Sequence, residues 1–287
     1  MKLEDPKFIL KLSCVDTIGI VSAISGFLVQ NGCNIITNQQ FGDRDTERFF
    51  MRVAFTPLDA ATTAERLRGP LQTIAARYDM DWSLHETAER PKVVLMVSKF
   101  GHCLNDLLYR WKIGALKVDI VAIVSNHRDF AHLASSYEIP FHHMPVTAQT
   151  KQAQEARLAG LIEETGADLV VLARYMQVLS DEMCRFLEGR AINIHHSFLP
   201  SFKGAAPYTQ AYVRGVKLIG ATAHYVTPDL DEGPIIEQEV ARVTHEDGPA
   251  ALTALGRDVE SVVLARAVQF HVEHRVLVNG NRTVVFR

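Results

Sequence analysis

The stretch "VVLMVS", residues 93–98, decides the fold class of the larger part of this chain. It is a nearly continuous apolar run, and similar runs follow as "VDIVAIVSN" (118–126) and "ADLVVLAR" (167–174), with helical segments between them. Strands of a parallel sheet are buried on both faces, so they read as continuous apolar runs that alternate with helices. The pattern predicts an α/β domain with a doubly wound, mostly parallel sheet.

The edge of this predicted sheet has a different pattern. "KLIGATAHYV" (217–226) and "PIIEQEVARV" (234–243) flank the loop "TPDLDEG" (227–233), which predicts an antiparallel pair of strands at one side of the sheet. A long helix follows, and "RVLVNGNRTVVF" (275–286) predicts a terminal hairpin that turns near Asn279-Gly280.

The first 85 or so residues have a different pattern of predicted strands and helices. Alternating strand patterns and two helical patterns occur in the order βαββαβ, which predicts a ferredoxin-like domain. The charged segment "ETAERPK" (86–92) lacks apolar periodicity and contains a proline. We therefore predict an N-terminal domain at residues 1–86, a linker at 87–92 and a second domain at 93–287.

Composition narrows the class of protein. The 287 residues are 47% hydrophobic and 22% charged, and the formal net charge of -3 gives no support for nucleic-acid binding. The absence of a membrane-length apolar run and of a signal-peptide core predicts a cytoplasmic protein without a membrane partner. The spacing of the four cysteines fits neither a disulfide framework nor a zinc ribbon and predicts reduced, mostly buried thiols: Cys14, Cys33, Cys103 and Cys184.

The segment "INIHHSFLPSFKGAAPY" (192–208) carries the candidate chemistry. Ligands of doubly wound sheets bind at the carboxyl ends of the strands, which points to "NIHHSFLP" and to "ARYMQVLS". Side chains alternate on a strand, so Asn193 and His195 share one face, roughly 6 to 7 Å apart at their bases, whereas His196 is expected on the other face. An amide donor and an imidazole could together act on a carbonyl group. Asp231 is the best candidate for the carboxylate that orients His195.

Other interpretations of these residues stay open at this point. A histidine on a strand is more often structural than catalytic. A metal site at His195, His196 and Asp231, or at His142-His143, lacks a recognised zinc spacing. The chain has no G-x-S-x-G elbow and no Gly-rich nucleotide loop, and Cys103 is better explained as an inert buried thiol. We expect no metal and no cofactor.

The motifs also carry a resemblance. "INIHHSFLPSFKGAAPY" and "GATAHYVTPDLDEGPII" closely resemble the formyltransferase-fold enzymes that use 10-formyltetrahydrofolate, whose Asn, His and Asp trio matches Asn193, His195 and Asp231. "HHSFLPSF", "HCLNDLL", "RFFMR" and "GRDVE" resemble the formyltetrahydrofolate deformylase family in particular. "CVDTIGIVSAI" resembles the signature of ACT domains. The resemblance covers essentially the whole chain.

The resemblance implies an activity, hydrolysis of 10-formyltetrahydrofolate to tetrahydrofolate and formate, which balances the one-carbon pool that feeds purine synthesis. It implies that Asn193 and His195 stabilise the tetrahedral oxyanion, while Asp231 orients His195 and helps to deprotonate water. His224 is expected to line the same pocket. The remaining substrate contacts that it implies are Tyr175, Met176, Gln177, Val178 and Leu179 for the pterin, and Lys203 and Gly204 in the loop after the catalytic strand.

Two departures from the related transferases bear on the acceptor. Those enzymes bind the phosphate of a ribonucleotide acceptor with a loop of small residues, where this chain has "SKFGHCLNDLL". The absence of that loop argues that water takes the formyl group. Ala206 stands where the family pattern suggests a basic residue, which leaves open how the acidic tail of the folate is bound.

The ACT resemblance implies a regulatory domain that binds a small amino acid, methionine or glycine. The positions expected to contact such an effector are Asp16, Gly19, Asn31 and Asn34. We also expect a homo-oligomer. Two rival functions remain: a formyltransferase of the glycinamide ribonucleotide type or with another acceptor, and a non-catalytic sensor of folate and amino acids.

Overall fold

The computed structural model describes residues 6–199 and 207–287, without the side chain of Pro207. The predicted substrate contacts Lys203 and Gly204, together with Ala206, lie outside the described residues. The chain divides into two compact units. The first contains residues up to 90 together with 274–279 and 284–287, and the second contains residues 91–273 and 280–283.

The first unit is a four-stranded antiparallel sheet covered on one face by two helices. The strand order is β2-β3-β1-β4, so the first strand lies in the middle of the sheet and pairs with both β3 and β4. This arrangement confirms the predicted ferredoxin-like βαββαβ fold. Its elements are β1 (Phe8–Val15), α1 (Ile20–Gln30), β2 (Cys33–Asp43), β3 (Arg48–Pro57), α2 (Ala64–Arg77) and β4 (Asp81–Glu86).

Strand periodicity explains how this unit builds two apolar layers. Alternate residues of β1, beginning with Phe8 and Leu10, pack with Ile24 of α1 in the main core. On β3, Phe50 is buried in a second, smaller cluster with Leu277 and Phe286 near the end of the chain. These contacts explain why residues 274–279 and 284–287 belong to the first unit, although the sequence analysis placed them in the domain at 93–287.

The second unit contains a seven-stranded sheet in the order β11-β10-β9-β8-β5-β6-β7. Five neighbouring strands of this sheet are parallel, namely β9, β8, β5, β6 and β7, and β10 and β11 pair antiparallel at one side. This arrangement confirms the predicted mostly parallel, doubly wound sheet with an antiparallel pair at one side. The elements in chain order are β5 (Lys92–Val97), α3 (His102–Lys112), β6 (Asp119–Ser125), α4 (Ala131–Ser136), β7 (Phe141–His143), α5 (Lys151–Thr165), β8 (Leu169–Leu172), α6 (Asp181–Phe186), β9 (Ala191–His195), α7 (Pro207–Arg214), β10 (Leu218–Tyr225), β11 (Ile235–Arg242) and α8 (Pro249–Val272).

The last two strands form the terminal hairpin expected from the sequence, with β12 at Val276–Asn279 and β13 at Arg282–Val285. The turn contains Gly280, whose positive φ of 62° suits a residue without a Cβ atom. Thr283 donates a hydrogen bond from its hydroxyl to the carbonyl of Ile235 at 2.5 Å, a contact within the second unit.

Two further observations concern the chain as a whole. All four cysteines are buried and unpaired, as the sequence predicts. Across residues 6–199 and 207–287, no helix has both the length and the apolar character that a membrane span requires.

Candidate active site

Two strands of the second unit bring the amide of Asn193 against the imidazole of His224. The two residues are directly opposite each other in the antiparallel β9–β10 pair, and Asn193 Nδ2 lies 3.3 Å from His224 Nε2. His224 Nδ1 lies 2.8 Å from the carbonyl oxygen of Tyr225, which can only accept, so Nδ1 carries the proton. In the neutral ring Nε2 then accepts one hydrogen of the Asn193 amide. This contact fixes the direction of the amide and leaves its second hydrogen for another acceptor.

His195 is oriented by a carboxylate. Its Nδ1 lies 3.2 Å from Oδ1 of Asp231, and since an ionised carboxylate only accepts, Nδ1 donates. The opposite ring nitrogen, Nε2, is buried and has no hydrogen-bond partner among the described residues. His195 therefore offers an acceptor nitrogen whose tautomer is set by Asp231, the arrangement that general base catalysis requires.

The loop between β10 and β11 is folded tightly enough to bring Asp231 to this position. Asp231 has a φ of 58°, in the left-handed region that aspartate tolerates better than most residues. A Cβ atom added at Gly233 would lie 1.8 Å from the carbonyl oxygen of Tyr225 and 3.2 Å from His224 Nδ1. The glycine of "DLDEGP" is therefore required for the close approach of the loop to β10.

The environment of Asp231 favours its charged form. The hydrogen bond from His195, and then the nearby ring of His224, lower the pKa of the Asp231 carboxyl well below its ordinary value, although partial burial opposes this shift. Asp231 is therefore ionised at neutral pH, where its charge can stabilise positive charge on His195.

The predicted site residues line one cavity of about 210 Å³. Asn193, His195, His224 and Asp231 lie on its wall, and the predicted pterin segment lines it as well, at Tyr175, Met176, Gln177, Val178 and Leu179. Tyr175 and Leu179 are buried, whereas the side chains of Met176 and Val178 are more than half exposed. Exposed apolar side chains beside buried polar groups suit a flat heteroaromatic ligand.

The segment after β8 is held in place by Ser98 at the end of β5. The Ser98 backbone N–H donates to the carbonyl oxygen of Arg174 at 3.2 Å, and its hydroxyl accepts from the Met176 N–H at 3.0 Å. Ser98 in turn donates to the side chain of Asn126 at 2.7 Å. Adjacent parallel strands β5, β6 and β8 thereby position one wall of the cavity.

The expectation for His196 is wrong. Its side chain lines the same cavity as His195, and the two rings have centroids 5.0 Å apart. Strand β9 ends at His195, so the alternation of side chains does not extend to His196. The chain then bends back toward β10, where Thr222 donates to the Ser197 carbonyl at 3.0 Å and accepts from the Leu199 N–H at 3.2 Å.

A buried carboxylate beside the cavity was not anticipated from the sequence. Glu260 of α8 is 1% exposed and accepts hydrogen bonds from His102 Nε2 at 2.7 Å and the Tyr208 hydroxyl at 2.6 Å, and Arg174 Nε lies 3.3 Å away. Burial raises the pKa of Glu260, but these partners outweigh burial and lower it overall. A Cβ atom at Gly256 would lie 2.1 Å from the Tyr208 ring, so the glycine lets Tyr208 approach α8. Gly256 and Glu260 are one helical turn apart in "GRDVE", and this spacing is the sequence feature that could have indicated the contact between Tyr208 and Glu260.

Comparison with known proteins places this geometry in a family. A family model described as formyl transferase matches residues 91–268, and an ACT domain model matches residues 8–69. The formyltetrahydrofolate deformylase of Corynebacterium sp. is 52% identical over 284 residues, which cover 99% of each chain. This chain belongs to the formyltetrahydrofolate deformylase family.

Solved structures agree with this assignment. The crystal structure of a formyltetrahydrofolate deformylase from Burkholderia mallei has a TM-score of 0.95 and 56% identity, and covers 98% of this chain and 100% of that one. A glycinamide ribonucleotide transformylase from Symbiobacterium toebii has a TM-score of 0.66 and 29% identity, and covers 71% of this chain and 98% of its own. The deformylase match extends over both units, whereas the transformylase match accounts for a smaller part of the chain.

The ACT unit of this deformylase family member does not bring all predicted effector residues together. Gly19 caps the first turn of α1, and Asn31 caps its last turn with a side-chain hydrogen bond to the Phe27 carbonyl at 2.8 Å. An 11-residue helix is about 16 Å long, so these two positions of one protomer lie too far apart for one amino-acid ligand. Asp16 belongs with Gly19 in the turn after β1, and Asn34 lies just beyond the other end of α1, in β2.

One group of residues in this deformylase family member has the composition of a metal site. Within the described parts of the chain, His102, Cys103 and Glu260 are the only three His, Cys, Asp or Glu residues with ligand atoms close enough to share an ion. Burial raises the pKa of the Cys103 thiol, which disfavours the thiolate form that binds metals. The guanidinium of Arg174 already pairs with Glu260. This group is better described as a buried polar network than as a cation site.

Proposed function

We propose that this chain hydrolyses 10-formyltetrahydrofolate to tetrahydrofolate and formate. The observation that carries the proposal is the orientation of His195, whose Nδ1 is bound to Asp231 and whose buried Nε2 has no hydrogen-bond partner among the described residues. Relatives named formyltetrahydrofolate deformylase match the chain over nearly its full length, which supports the choice of substrate.

The proposed reaction begins with proton transfer to His195. Nε2 of the neutral imidazole takes a proton from a water molecule while the oxygen of that water bonds to the formyl carbon. The positive charge that forms on His195 is stabilised by Asp231, which remains ionised because its pKa is lowered. The imidazolium then gives the proton to N10 of the folate as the carbon–nitrogen bond breaks. Asp231 is a poor base for water itself, so we assign it to orientation and charge stabilisation.

Asn193 is the proposed oxyanion donor. One amide hydrogen is engaged by His224, and the other is directed by that contact toward the tetrahedral oxygen. A donor fixed before the reaction stabilises developing charge more effectively than one that must reorient. His224 thus acts as a positioning residue for Asn193.

The packing of the segment "SKFGHCLNDLL" supports water as the acceptor. Phe100 lies against two guanidinium groups, with Arg174 Cζ 5.8 Å and Arg257 Cζ 5.6 Å from its ring centroid. At Gly101 a Cβ atom would lie 2.3 Å from the ring of Phe130. Large side chains therefore occupy the segment in which a phosphate-binding loop would need exposed backbone N–H groups.

The proposed mechanism needs no metal. Each proton transfer and each charge in it is assigned to Asn193, His195 or Asp231. Asp231, the one carboxylate of the trio, accepts from His195 Nδ1 at 3.2 Å and lies 3.7 Å from His224 Nε2.

We further propose that the ACT unit binds a small amino acid, methionine or glycine, and that the chain forms a homo-oligomer. The ACT domain match at residues 8–69 supports a regulatory ligand. Because the predicted contacts divide between the two ends of α1, the turn with Asp16 and Gly19 and the segment with Asn31 and Asn34 are separate candidates, to be tested one at a time.

The deciding experiment measures formate release from 10-formyltetrahydrofolate without any acceptor, beside the same assay with glycinamide ribonucleotide. We expect release without acceptor that is lost in His195→Ala. Turnover that depends on the ribonucleotide would instead identify a transferase, and folate binding without turnover in either assay would identify a sensor.

A further inference from the structure

The guanidinium of Arg174 and the imidazole of His196 belong to residues that line the cavity, and the proposed mechanism assigns neither of them a role. His196 and Arg174 both line the cavity that holds His195. The rings of the adjacent histidines are 5.0 Å apart and tilted by 33°. Arg174 is only 9% exposed. A guanidinium that lines a pocket from a buried position loses much of its hydration, so its interaction with an anionic ligand is strengthened.

The backbone at Arg174 adds to this observation. Its φ of 66° lies in the left-handed region, where a long side chain is unfavourable by about 1 kcal/mol or more relative to glycine. Ser98 holds this turn through the hydrogen bond to the Arg174 carbonyl. Strained residues of this kind concentrate at functional sites, where a side chain is needed at one position.

The guanidinium is also fixed in place by its neighbours. Arg174 Nε lies 3.3 Å from Glu260, and Cζ lies 5.8 Å from the ring centroid of Phe100. Glu260 also accepts hydrogen bonds from His102 and Tyr208, which hold its carboxylate in place beside the guanidinium. Nε of Arg174 is buried without a hydrogen-bond partner among the described residues.

His196 is suited to act as a neutral donor or acceptor beside this charge. Burial, and then the charge of Arg174, lower the pKa of His196 to about 4. At neutral pH the ring therefore carries one N–H and one acceptor nitrogen.

The proposed reaction supplies an anion that fits such a pair. Water oxygen bonds to the formyl carbon, the carbon–nitrogen bond breaks, its electron pair remains on N10, and N10 takes one proton that originated from water. The second water proton leaves to solvent, and the product is formate, a small anion with two acceptor oxygens. In the proposed reaction the formyl carbon lies beside His195, whose ring centroid is 5.0 Å from that of His196 in the same cavity.

We propose that Arg174 and His196 form a binding subsite for formate, next to the catalytic His195. The inference rests on the proposed hydrolysis. Arg174 supplies the charge and His196 a neutral N–H donor, so that the carboxylate is bound as it forms and is released before the next turnover. The same pair would bind added formate in the absence of folate.

Product inhibition by sodium formate tests this subsite. We expect formate to inhibit the wild-type protein more than sodium chloride at the same ionic strength, and Arg174→Gln to raise the inhibition constant by about tenfold or more. Arg257→Gln is the matched control, because Arg257 also lies against the ring of Phe100 but is not among the described residues that line the cavity. Equal inhibition constants in the wild type and Arg174→Gln would overturn the proposal.

A binding measurement separates this inference from the proposed activity. Saturation-transfer NMR on the single proton of formate reports contact with the folate-free protein, and we expect the signal to fall severalfold in Arg174→Gln and in His196→Asn but not in Arg257→Gln. Arg174→Gln could fail to fold because Glu260 loses its charged partner. In that case the formate signal of His196→Asn and the comparison of formate with chloride in the wild type still test the subsite. Formate binding without acceptor-free turnover would contradict the proposed hydrolysis but not the subsite. Acceptor-free turnover without a formate signal in the wild type would contradict the subsite alone.

Discussion

His224 Nε2 accepts a hydrogen bond from the amide of Asn193 at 3.3 Å, directly across the antiparallel β9–β10 pair. The bond between His224 Nδ1 and the Tyr225 carbonyl fixes the tautomer, so the direction of the Asn193 amide is decided by a backbone group one strand away. The oxyanion donor is therefore oriented in advance by the sheet.

His224→Gln should reduce kcat by about tenfold with little change in KM, because the Asn193 amide loses an oriented partner while the cavity wall keeps its shape. Steady-state kinetics of formate release will measure the split between the two parameters. His245→Gln, at an exposed histidine, is the control. A change confined to KM would assign His224 to substrate binding.

Asn193→Ala should lower turnover by about two to three orders of magnitude, the usual effect of removing an oxyanion donor. The measurement is kcat for formate release at saturating 10-formyltetrahydrofolate, with folate binding measured in parallel. Near-normal turnover in this variant would remove Asn193 from the mechanism.

Asp231→Asn should lower kcat by about a thousandfold or more, because an amide no longer holds the Nδ1–H tautomer of His195 and cannot stabilise its positive charge. The pKa of Asp231 is lowered in the folded protein, so its contribution to stability is present above the ordinary aspartate pKa of about 4 and is lost as pH falls below that value. Urea unfolding at neutral pH and near pH 3 should show a stability difference between wild type and Asp231→Asn that shrinks at the lower pH. A difference that grows on acidification would contradict the assignment.

Gly233→Ala should cost about a hundredfold or more in kcat, since the added Cβ would overlap the Tyr225 carbonyl and push the loop with Asp231 away from His195. The circular dichroism spectrum should be retained, because the change lies in a loop. Gly248→Ala, where an added Cβ meets nothing within 4 Å, is the control. Normal activity in Gly233→Ala would mean that the loop can rearrange without moving Asp231.

The first unit should lose stability as pH falls from about 6.5 toward 4, because of His85. Burial, and then the charges of Lys11 and Arg68, lower its pKa from 6.5 to about 4. The unfolded chain then takes up a proton in this range before the folded protein does, which destabilises the folded unit on acidification. His85 is partly exposed, so we expect an effect on the order of 1 kcal/mol.

The fluorescence of Trp82 in β4 can follow this transition in a Trp111→Phe background, since the chain contains two tryptophans. His85→Gln should flatten the pH dependence of the unfolding midpoint between pH 4 and 6.5. An unchanged slope would show that another group is responsible.

Much of the architecture follows from local pattern. The apolar runs at 93–98, 118–126 and 167–174 became the parallel strands β5, β6 and β8, and the βαββαβ order of the first 85 residues became the ferredoxin-like unit. Strand alternation also predicted that Asn193 and His195 would line one cavity. These predictions succeed because the spacing of apolar residues along a segment follows the period of its helix or strand and the face that is buried.

The sequence by itself determined the two folds, the order of their elements, the shared face of Asn193 and His195, and the family motifs. Only the tertiary structure decided the placement of His196, the network around Glu260 and the assignment of the last strand residues to the first unit. The physical reason is that these features depend on contacts between residues far apart in the chain. Thr222 fixes the bend at Ser197, His102 and Tyr208 contact Glu260 from other helices, and Phe50 packs with Leu277 and Phe286. None of these contacts produces a periodic pattern in the sequence around the residues concerned.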